Sequence, residues 1–444
     1  MNSRPSNRGS VLIIVLWVTF GLVSMALYFA NSMAMELRAA DNRTAGLAAD
    51  QAIAGAARYV GSVLTAYATN GVVPNLSEYQ AEAVPIGDAH FWIIGRDNSL
   101  TPAHPDRVSF GLVDEAAKLN LNTASTNVLN GLPRLTTDLT AAILDWRSTN
   151  GSGASQIHYA MQTPSYQCKQ APFETLDELR LVYGTSLNIL AGDDVNRNGI
   201  LDRNEKSDTG ISQAAPGLFE YVSLYSREPN LHSDGTLRTN VNTQAPLRAL
   251  LQSRFGTARA AQILNRLGFR QTSGRNPAPP PTFRSLLQFY VRSGMTADEF
   301  AQIYHDATVS SASYTRGRVN INTASATVLA CLPGLDAGTA QQVINYRQQN
   351  PNNRGSIAWI VDALGASSAA IQTLQAGDYI TTQSYQFTAD IAAVGQYGRG
   401  YRRVKFVFDI SQGTLQIVYR QDLSRLGWAL GNDVRQTWVA KATL

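Results

Sequence analysis

The sequence predicts an α+β protein in which one long N-terminal helix packs on an antiparallel sheet and a large all-α block is inserted between the strands. Three observations carry that prediction: an uncharged apolar run near the N-terminus that continues as an Ala- and Leu-rich segment, strand-like segments split between the two ends of the chain, and a tetrapeptide, N-x-N-T, that recurs three times between them. The 444 residues exceed one small domain. Charged residues make up 16 % of the chain and hydrophobic ones 44 %, which excludes a charged, disordered polypeptide. The 37 basic and 33 acidic residues leave a net +4, too thinly spread to point to nucleic acid. Two cysteines exclude a disulfide-dense scaffold and a four-thiolate zinc site.

The N-terminal helix comes first. Ser10 to Ala30 reads SVLIIVLWVTFGLVSMALYFA, about 21 residues without a charge, enough at about 1.5 Å per residue to cross a ~30 Å hydrocarbon core. The leader before it, MNSRPSNRG, carries Arg4 and Arg8 and no acid, so the positive-inside rule keeps it cytoplasmic and sends everything after Ala30 across the membrane. A cleaved secretory signal peptide is the alternative, but its apolar region normally spans only about 7 to 15 residues and ends in a small-residue cleavage site. After Ala30 the chain stays rich in Ala, Leu and Met with no proline until Pro74. One helix of about 55 residues, half in lipid and half out, is the simplest interpretation.

The middle of the chain repeats. N-x-N-T occurs at Asn120 to Thr123, Asn240 to Thr243 and Asn320 to Thr323. In each case the Thr is placed to cap a helix. Apolar residues then recur at helical spacing (Val128, Leu129, Leu132; Val328, Leu329, Leu332), followed by a tight turn and a second helix, which is the layout of a helix-hairpin-helix (SAM-like) unit. The second copy, VNTQAPLRALLQSRFGTARAAQILNRL, is more diverged. A further helical piece follows each hairpin: FETLDELRLVYG, FRSLLQFYVRSG and SIAWIVDALG. Units of this kind must stack to bury their apolar faces. The run Pro277 to Pro281 reads as a stiff connector inside the block.

Strand-like segments flank the block. His90 to Gly95 and Arg107 to Val113 precede it; Tyr385 to Ala392, Arg403 to Ile410 and Leu415 to Arg420 follow it. The expected organisation is a leader (1–9), a membrane-spanning part of the first helix (10–30), the rest of that helix with the first strands (31–114), an inserted helical domain (115–377), and closing strands with a C-terminal tail (378–444).

With these segments in place the sequence resembles the type IV pilin-like superfamily, and within it the minor pseudopilin K family of type II secretion, general secretion pathway protein K. The resemblance rests on the leader ending in Gly9, the span starting at Ser10, the amphipathic continuation, the inserted N-x-N-T units and the closing strands. It implies a pilin-like fold with a large insert, cleavage by a prepilin peptidase between Gly9 and Ser10, and a single-pass inner-membrane protein with a periplasmic body. It also implies partners similar to minor pseudopilins I and J, together with other inner-membrane components of the secretion system. Most pilin-like subunits carry Phe at the first mature position and Glu at the fifth; here Ser10 and Ile14 stand there. The Glu neutralises the amino terminus of a neighbouring subunit in an apolar shaft, where an unpaired charge is expensive. A subunit without it suits the tip of a pseudopilus, initiating or capping assembly for export of folded proteins across the outer membrane.

The sharpest chemical motif is Asp194-Val-Asn196-Arg-Asn198-Gly199-Ile200-Leu201-Asp202-Arg-Asn-Glu205. Side-chain oxygens at positions one, three, five and nine, the backbone carbonyl of Ile200 at seven, Gly at six for the sharp turn and Glu at twelve are the pattern of a calcium loop. A polar surface turn is the alternative, though it does not require Gly, Leu and Glu at these places. The flanks do not read as two long helices, so the expected Ca2+ site is a structural clamp.

Cys168 and Cys331 have two readings: a disulfide joining the first and third units, which an exported location favours, or two separate thiols, with Cys331 packed where the first unit has Gly131.

No catalytic motif emerges, and the five histidines are scattered, so the chain reads as non-enzymatic. The competing reading is a membrane-anchored DNA receptor for uptake that uses the hairpins. Against it, the turns Pro133-Arg134-Leu135-Thr136 and Gly334-Leu335-Asp336 lack the Gly-hydrophobic-Gly pair that presents backbone N–H groups to phosphate. Neither is there a basic cluster, so no nucleic acid is expected as a partner.

Overall fold

The computed structural model describes residues 8–67, 71–99, 104, 106–149, 155–207, 215–232, 234–269, 281–352 and 354–442. Most of the leader, including Arg4, and the proline run except Pro281 lie outside the described residues.

Helix α1 runs from Arg8 to Thr65, 58 residues in one piece. Its two halves have opposite surroundings. From Val11 to Leu37 the large apolar side chains are exposed, and among the described residues this is the one helix long and apolar enough to cross a membrane. From Ala45 onward Ala49, Ala52, Ile53, Ala56, Val60 and Leu64 are buried, at the i, i+4, i+7 spacing of one helix face. That face is built from small residues because the sheet comes close. A Cβ on Gly61 would lie 2.5 Å from Leu415, and one on Gly55 would lie 2.9 Å from Ile86.

The sheet is formed by β1 (Val84–Ile86), β2 (Ala89–Ile94), β3 (Val113–Asp114), β4 (Gln386–Val394), β5 (Arg402–Asp409) and β6 (Gln416–Asp422). The order is β1-β2-β4-β5-β6, antiparallel throughout, with β3 pairing β4 beyond the end of β2. Residue alternation sorts the two faces. Phe91, Ile93, Phe387, Ile391, Phe406 and Phe408 pack under α1. The opposite face carries Trp92, Ile94, Ala392 and Val394, covered by Val108, Ala429, Leu430 and Trp438 from the following loop and the C-terminal segment. Asp114 on β3 pairs with Phe387 on β4, so the insert leaves and re-enters the sheet at neighbouring positions, and this lets a large block interrupt the sheet without breaking it.

The insert holds three units around one continuous core. The first hairpin is α2 (Thr126–Asn130) with α3 (Thr137–Arg147); the second is α4 (Gln244–Leu267), bent sharply at Gly256 (φ 77°); the third is α5 (Ala326–Ala330) with α6 (Ala337–Gln349). The expected capping role of the N-x-N-T threonines is corrected here. The caps of α2 and α5 are Ser125 and Ser325, and Thr243 sits at the cap of α4 without a side-chain bond. The motif does other work. Its first Asn lies in a two-residue strand that pairs in parallel with a strand closing the unit: Leu119–Asn120 with Val222–Ser223, Thr239–Asn240 with Ala307–Thr308, and Val319–Asn320 with Ile380–Thr381. The Oδ1 of Asn120, Asn240 and Asn320 accepts the backbone N–H two residues on, at 3.0, 2.9 and 2.9 Å. Asn122 and Asn242 use both ends of the side-chain amide, donating to and accepting from the backbone of Phe173 and Phe283 respectively. Asn322 donates to Arg354 O and accepts from Trp359 Nε1. An amide side chain, which carries both a donor and an acceptor group, substitutes for a strand neighbour in a turn too short to have one.

Candidate functional site

The residues of the calcium motif lie between the first and second units, pressed against the outer face of the sheet. The left-handed φ of Gly199 (91°) and of Arg197 (59°) wind the loop. Asp194, Asn196, Asn198 and Asp202 are buried, while Glu205 is half-buried. Asp194 accepts from the N–H of Asn198 at 2.9 Å and of Gly199 at 2.7 Å. Asp202 accepts from the amides of Asn196 and Asn198 at 2.6 and 2.9 Å, and Glu205 closes the loop on the N–H of Asn196 and Asp202 at 3.1 and 3.0 Å. Burial pushes the Asp194 carboxyl up to about 6 against the pull of Arg96 and the two N–H groups, and the nearby Glu205 charge adds to the rise. Among the described residues no three acidic, His or Cys side chains already converge as a metal cluster. The donor set is instead oxygen-only and mixed: three carboxylates, two amide side chains and the Ile200 carbonyl, within one tight loop. Such a set fits a hard divalent cation in kind.

A second polar centre joins the insert to the sheet. Buried Asp114 accepts from Asn320 at 3.0 Å, Ser384 at 2.6 Å, Thr323 at 2.5 Å and the N–H of Ala116 at 2.8 Å. Burial outweighs these bonds and pushes its carboxyl up to about 6. Glu228, also buried, bridges Arg238 and Arg318 at 2.8 and 3.0 Å; its burial would raise the carboxyl, but the two guanidinium groups hold it below the ordinary range. Arg403, 0 % exposed, is held by Asp390 at 2.6 Å. These groups were missed in the sequence. The readable signal was the alternation in RVKFVFD, where Val404, Phe406 and Phe408 face α1 while Arg403, Lys405 and Asp409 take the other face.

Cys168 and Cys331 are separate, buried free thiols, the second of the two arrangements open to the sequence. Cys168 lies in the core around Trp146 and Tyr159. Cys331 closes α5 with its thiol on Thr327 O, and a Cβ on Gly131 would lie 3.1 Å from its Sγ. Burial pushes the Cys331 thiol up to about 11, far from a reactive thiolate.

The hairpin turns are occupied by the chain itself. Arg134 (φ 65°) bonds Asn188, Asp193 at 3.0 Å and Ala215 O at 3.1 Å. Gly334 (φ 86°) is packed so closely on the helix Ala369–Leu374 that a Cβ there would lie 2.6 Å from Thr373. Asp336 accepts the N–H of Thr339 at 2.8 Å, so a carboxylate already holds the first turn of α6.

Comparison with known proteins finds a match for the third unit. A helix-hairpin-helix motif family matches residues 315–352, which span the third N-x-N-T turn and both helices of its hairpin. No curated protein matches the chain. Among solved structures the chain is similar to "The Crystal Structure of the GspK-GspI-GspJ complex from enterotoxigenic Escherichia coli Type 2 Secretion System", at 9 % identity over 87 % of this chain and 99 % of that one, with a TM-score of 0.39.

Proposed function

We propose that this chain is a membrane-anchored assembly subunit, a minor pseudopilin seated at the tip of a type II secretion pseudopilus. The observation that carries the reading is α1, one unbroken helix whose first half is apolar and exposed and whose second half is buried against an antiparallel sheet. Such a helix anchors the body in the membrane and packs beside equivalent helices of other subunits, while the sheet and insert stay outside. Ile14 supplies no carboxylate for a neighbour's amino terminus, so the chain starts or caps an array rather than propagating it. Prepilin peptidase cleaves between Gly9 and Ser10, and minor pseudopilins similar to I and J pack along α1. The loop Asp194 to Glu205 holds one Ca2+ as a structural clamp, with Asp194, Asn196, Asn198, Asp202, Glu205 and the Ile200 carbonyl as ligands. The role is not enzymatic.

Co-purification of the full chain in detergent with I- and J-type minor pseudopilins of the same genome tests the assembly reading. A stoichiometric complex is expected; a monomer at every partner ratio would sink it. Mass measurement of the membrane-extracted chain should show Ser10 as the mature N-terminus. Calcium at millimolar concentration should raise Tm by several degrees, and a melt indifferent to calcium and to chelator rejects the clamp. The DNA-uptake reading needs free hairpin turns, and those of the first and third units are filled by Arg134 and its partners, by Thr373 and by Asp336. Tight, salt-sensitive binding of duplex DNA would restore it.

A further inference from the structure

The loop Asp194 to Glu205 is gripped from outside on three sides. The carbonyls of Asn196 and Arg197 point to two arginines of the sheet. Arg403 on β5 donates Nη1 to Asn196 O at 2.5 Å and Nη2 to Arg197 O at 2.9 Å, and Arg96, just past β2, donates to Arg197 O at 3.1 Å. Arg403 is 0 % exposed, and the Asp390 carboxylate fixes its plane through Nε at 2.8 Å and Nη2 at 2.6 Å. Arg96 is braced by Glu220, whose two carboxylate oxygens both accept from its Nε at 2.9 Å. On a third side the Asn196 amide donates to Trp428 O at 3.1 Å. Ile200 is buried in the outer-face cluster with Val108, Ala429 and Leu430, and a Cβ on Gly431 would lie 3.9 Å from its Cδ1. From Trp428 the chain continues into α7 (Gly431–Ala442), whose Trp438 stacks edge-on against Trp92 of β2 at 5.8 Å.

We infer that Arg403 is a positioning residue for the calcium loop, and that calcium binding is coupled to the seating of the insert and of residues 428–442 on the outer face of the sheet. The inference rests on the calcium reading above. Two loop carbonyls, those of the ligand-bearing Asn196 and of Arg197 beside it, are committed to Arg403 and turned from the loop's interior, which leaves the side-chain oxygens of Asp194, Asn196 and Asn198 for the ion. Only a planar guanidinium, with donors spread over three nitrogens, spans the Asp390 carboxylate and both carbonyls at once; a lysine ammonium has its three donors on one nitrogen and cannot reach all of them. Because the sheet and the C-terminal segment shape the site, calcium favours the seated form. By linkage, the seated form binds calcium more tightly by the same factor.

The test uses the full chain in detergent with calcium alone as the probe, reading affinity by calorimetry and amide hydrogen exchange of residues 428–442. Calcium should slow exchange in that segment about tenfold, and Arg403→Lys should weaken calcium about tenfold, the scale of outer-shell effects on metal sites, while removing most of the calcium-dependent protection. Arg318→Lys, which disturbs the buried arginine that bridges Glu228 and Asp378 instead, should leave the calcium affinity at the wild-type value. Wild-type exchange indifferent to calcium, with calcium heats intact, overturns the coupling and leaves the calcium reading standing. Unchanged affinity in Arg403→Lys overturns the positioning role. No calcium heat in the wild type overturns the calcium reading and the inference together. If Arg403→Lys does not fold, the wild-type exchange comparison decides the coupling, and the calcium affinity of Asp390→Asn, which loosens the Arg403 plane, decides the positioning role, an unchanged affinity overturning it.

Discussion

In the first and third helix-hairpin-helix units the same backbone is held by the same polar groups and finished with different ones. Asn122 and Asn322 brace the turn in both, and an arginine at the end of the second hairpin helix reaches back to cap it. Arg347 donates to Ile321 O and Ala324 O at 3.1 and 2.7 Å, and Arg147 donates to the matching carbonyls of Leu121 and Ala124. The differences are at the edges. Where the third unit has Gly334 in the left-handed turn the first has Arg134, and where the third has Cys331 the first has Gly131. Asn320 is anchored on the buried carboxylate of Asp114, whereas Asn120 donates to the neutral Ser226. The shared groups make the unit. The variable ones dock it, the third against the sheet and the first, through Arg134 and Asp193, against the entrance to the loop Asp194 to Glu205.

The comparison can be broken at several strengths. Arg347 is 6 % exposed, donates also to Asn98 O at 3.1 Å, and is pulled down to about 10 by burial. Arg347→Met should cost about 3–4 kcal/mol in denaturant unfolding, since it leaves two buried carbonyls and a half-buried one without this donor. Arg147→Met, at a more exposed site, should cost about half as much; equal losses would show that the units are not docked differently.

The next effect is a pH dependence belonging to the third unit. Asp114 sits at about 6 in the fold against an ordinary 3.8. The folded state therefore holds a proton that the unfolded chain has released, so this group's contribution to stability is greatest below about pH 4 and falls as pH rises through 6, by about 3 kcal/mol. Unfolding curves of the wild type and Asp114→Asn between pH 4 and 7 should differ by that slope. Parallel curves would remove Asp114 from the account.

Gly334→Ala should cost about 2–3 kcal/mol, because it adds a left-handed alanine and a Cβ 2.6 Å from Thr373. The counterpart Arg134→Gly should stay within about 1 kcal/mol of wild type, relief of the left-handed turn offsetting the lost bonds to Asn188 and Asp193. The smallest effect is at the contact between units: Gly131→Ala should cost about 1 kcal/mol, with part of the loss recovered in a Gly131→Ala, Cys331→Ala double variant, because the new Cβ meets the sulfur at 3.1 Å.

Much of the architecture was legible in the sequence. The long helix announced itself through an uncharged run and missing prolines, the sheet through alternation such as Val404, Phe406 and Phe408, and the insert through a repeated tetrapeptide. The strands that close each unit were not, since two residues carry no periodicity. The sequence points to the threonines as caps because Thr is a good cap in isolation. In the fold, Ser125 and Ser325 stand at the caps, while Thr323 donates to Asp114, a partner 209 positions away. The oxygen donors of the loop Asp194 to Glu205 can be read from the sequence as a spacing, but its supports, Arg96 just past β2 and Arg403 on β5, cannot, because they lie far from the loop and from each other in the chain.

By itself the sequence determined what depends on neighbours a few residues apart: the helix that leaves an apolar half exposed, the alternation of the strands, the spacing of the loop oxygens and the recurrence of the units. Only the tertiary structure decided which polar groups are buried together. Asp114 meets Asn320 and Ser384, Glu228 meets Arg238 and Arg318, and Arg403 meets the loop around Asn196. Buried charges must be paired wherever in the chain a partner can be found, and that pairing is set by how the insert sits on the sheet, which no local pattern encodes.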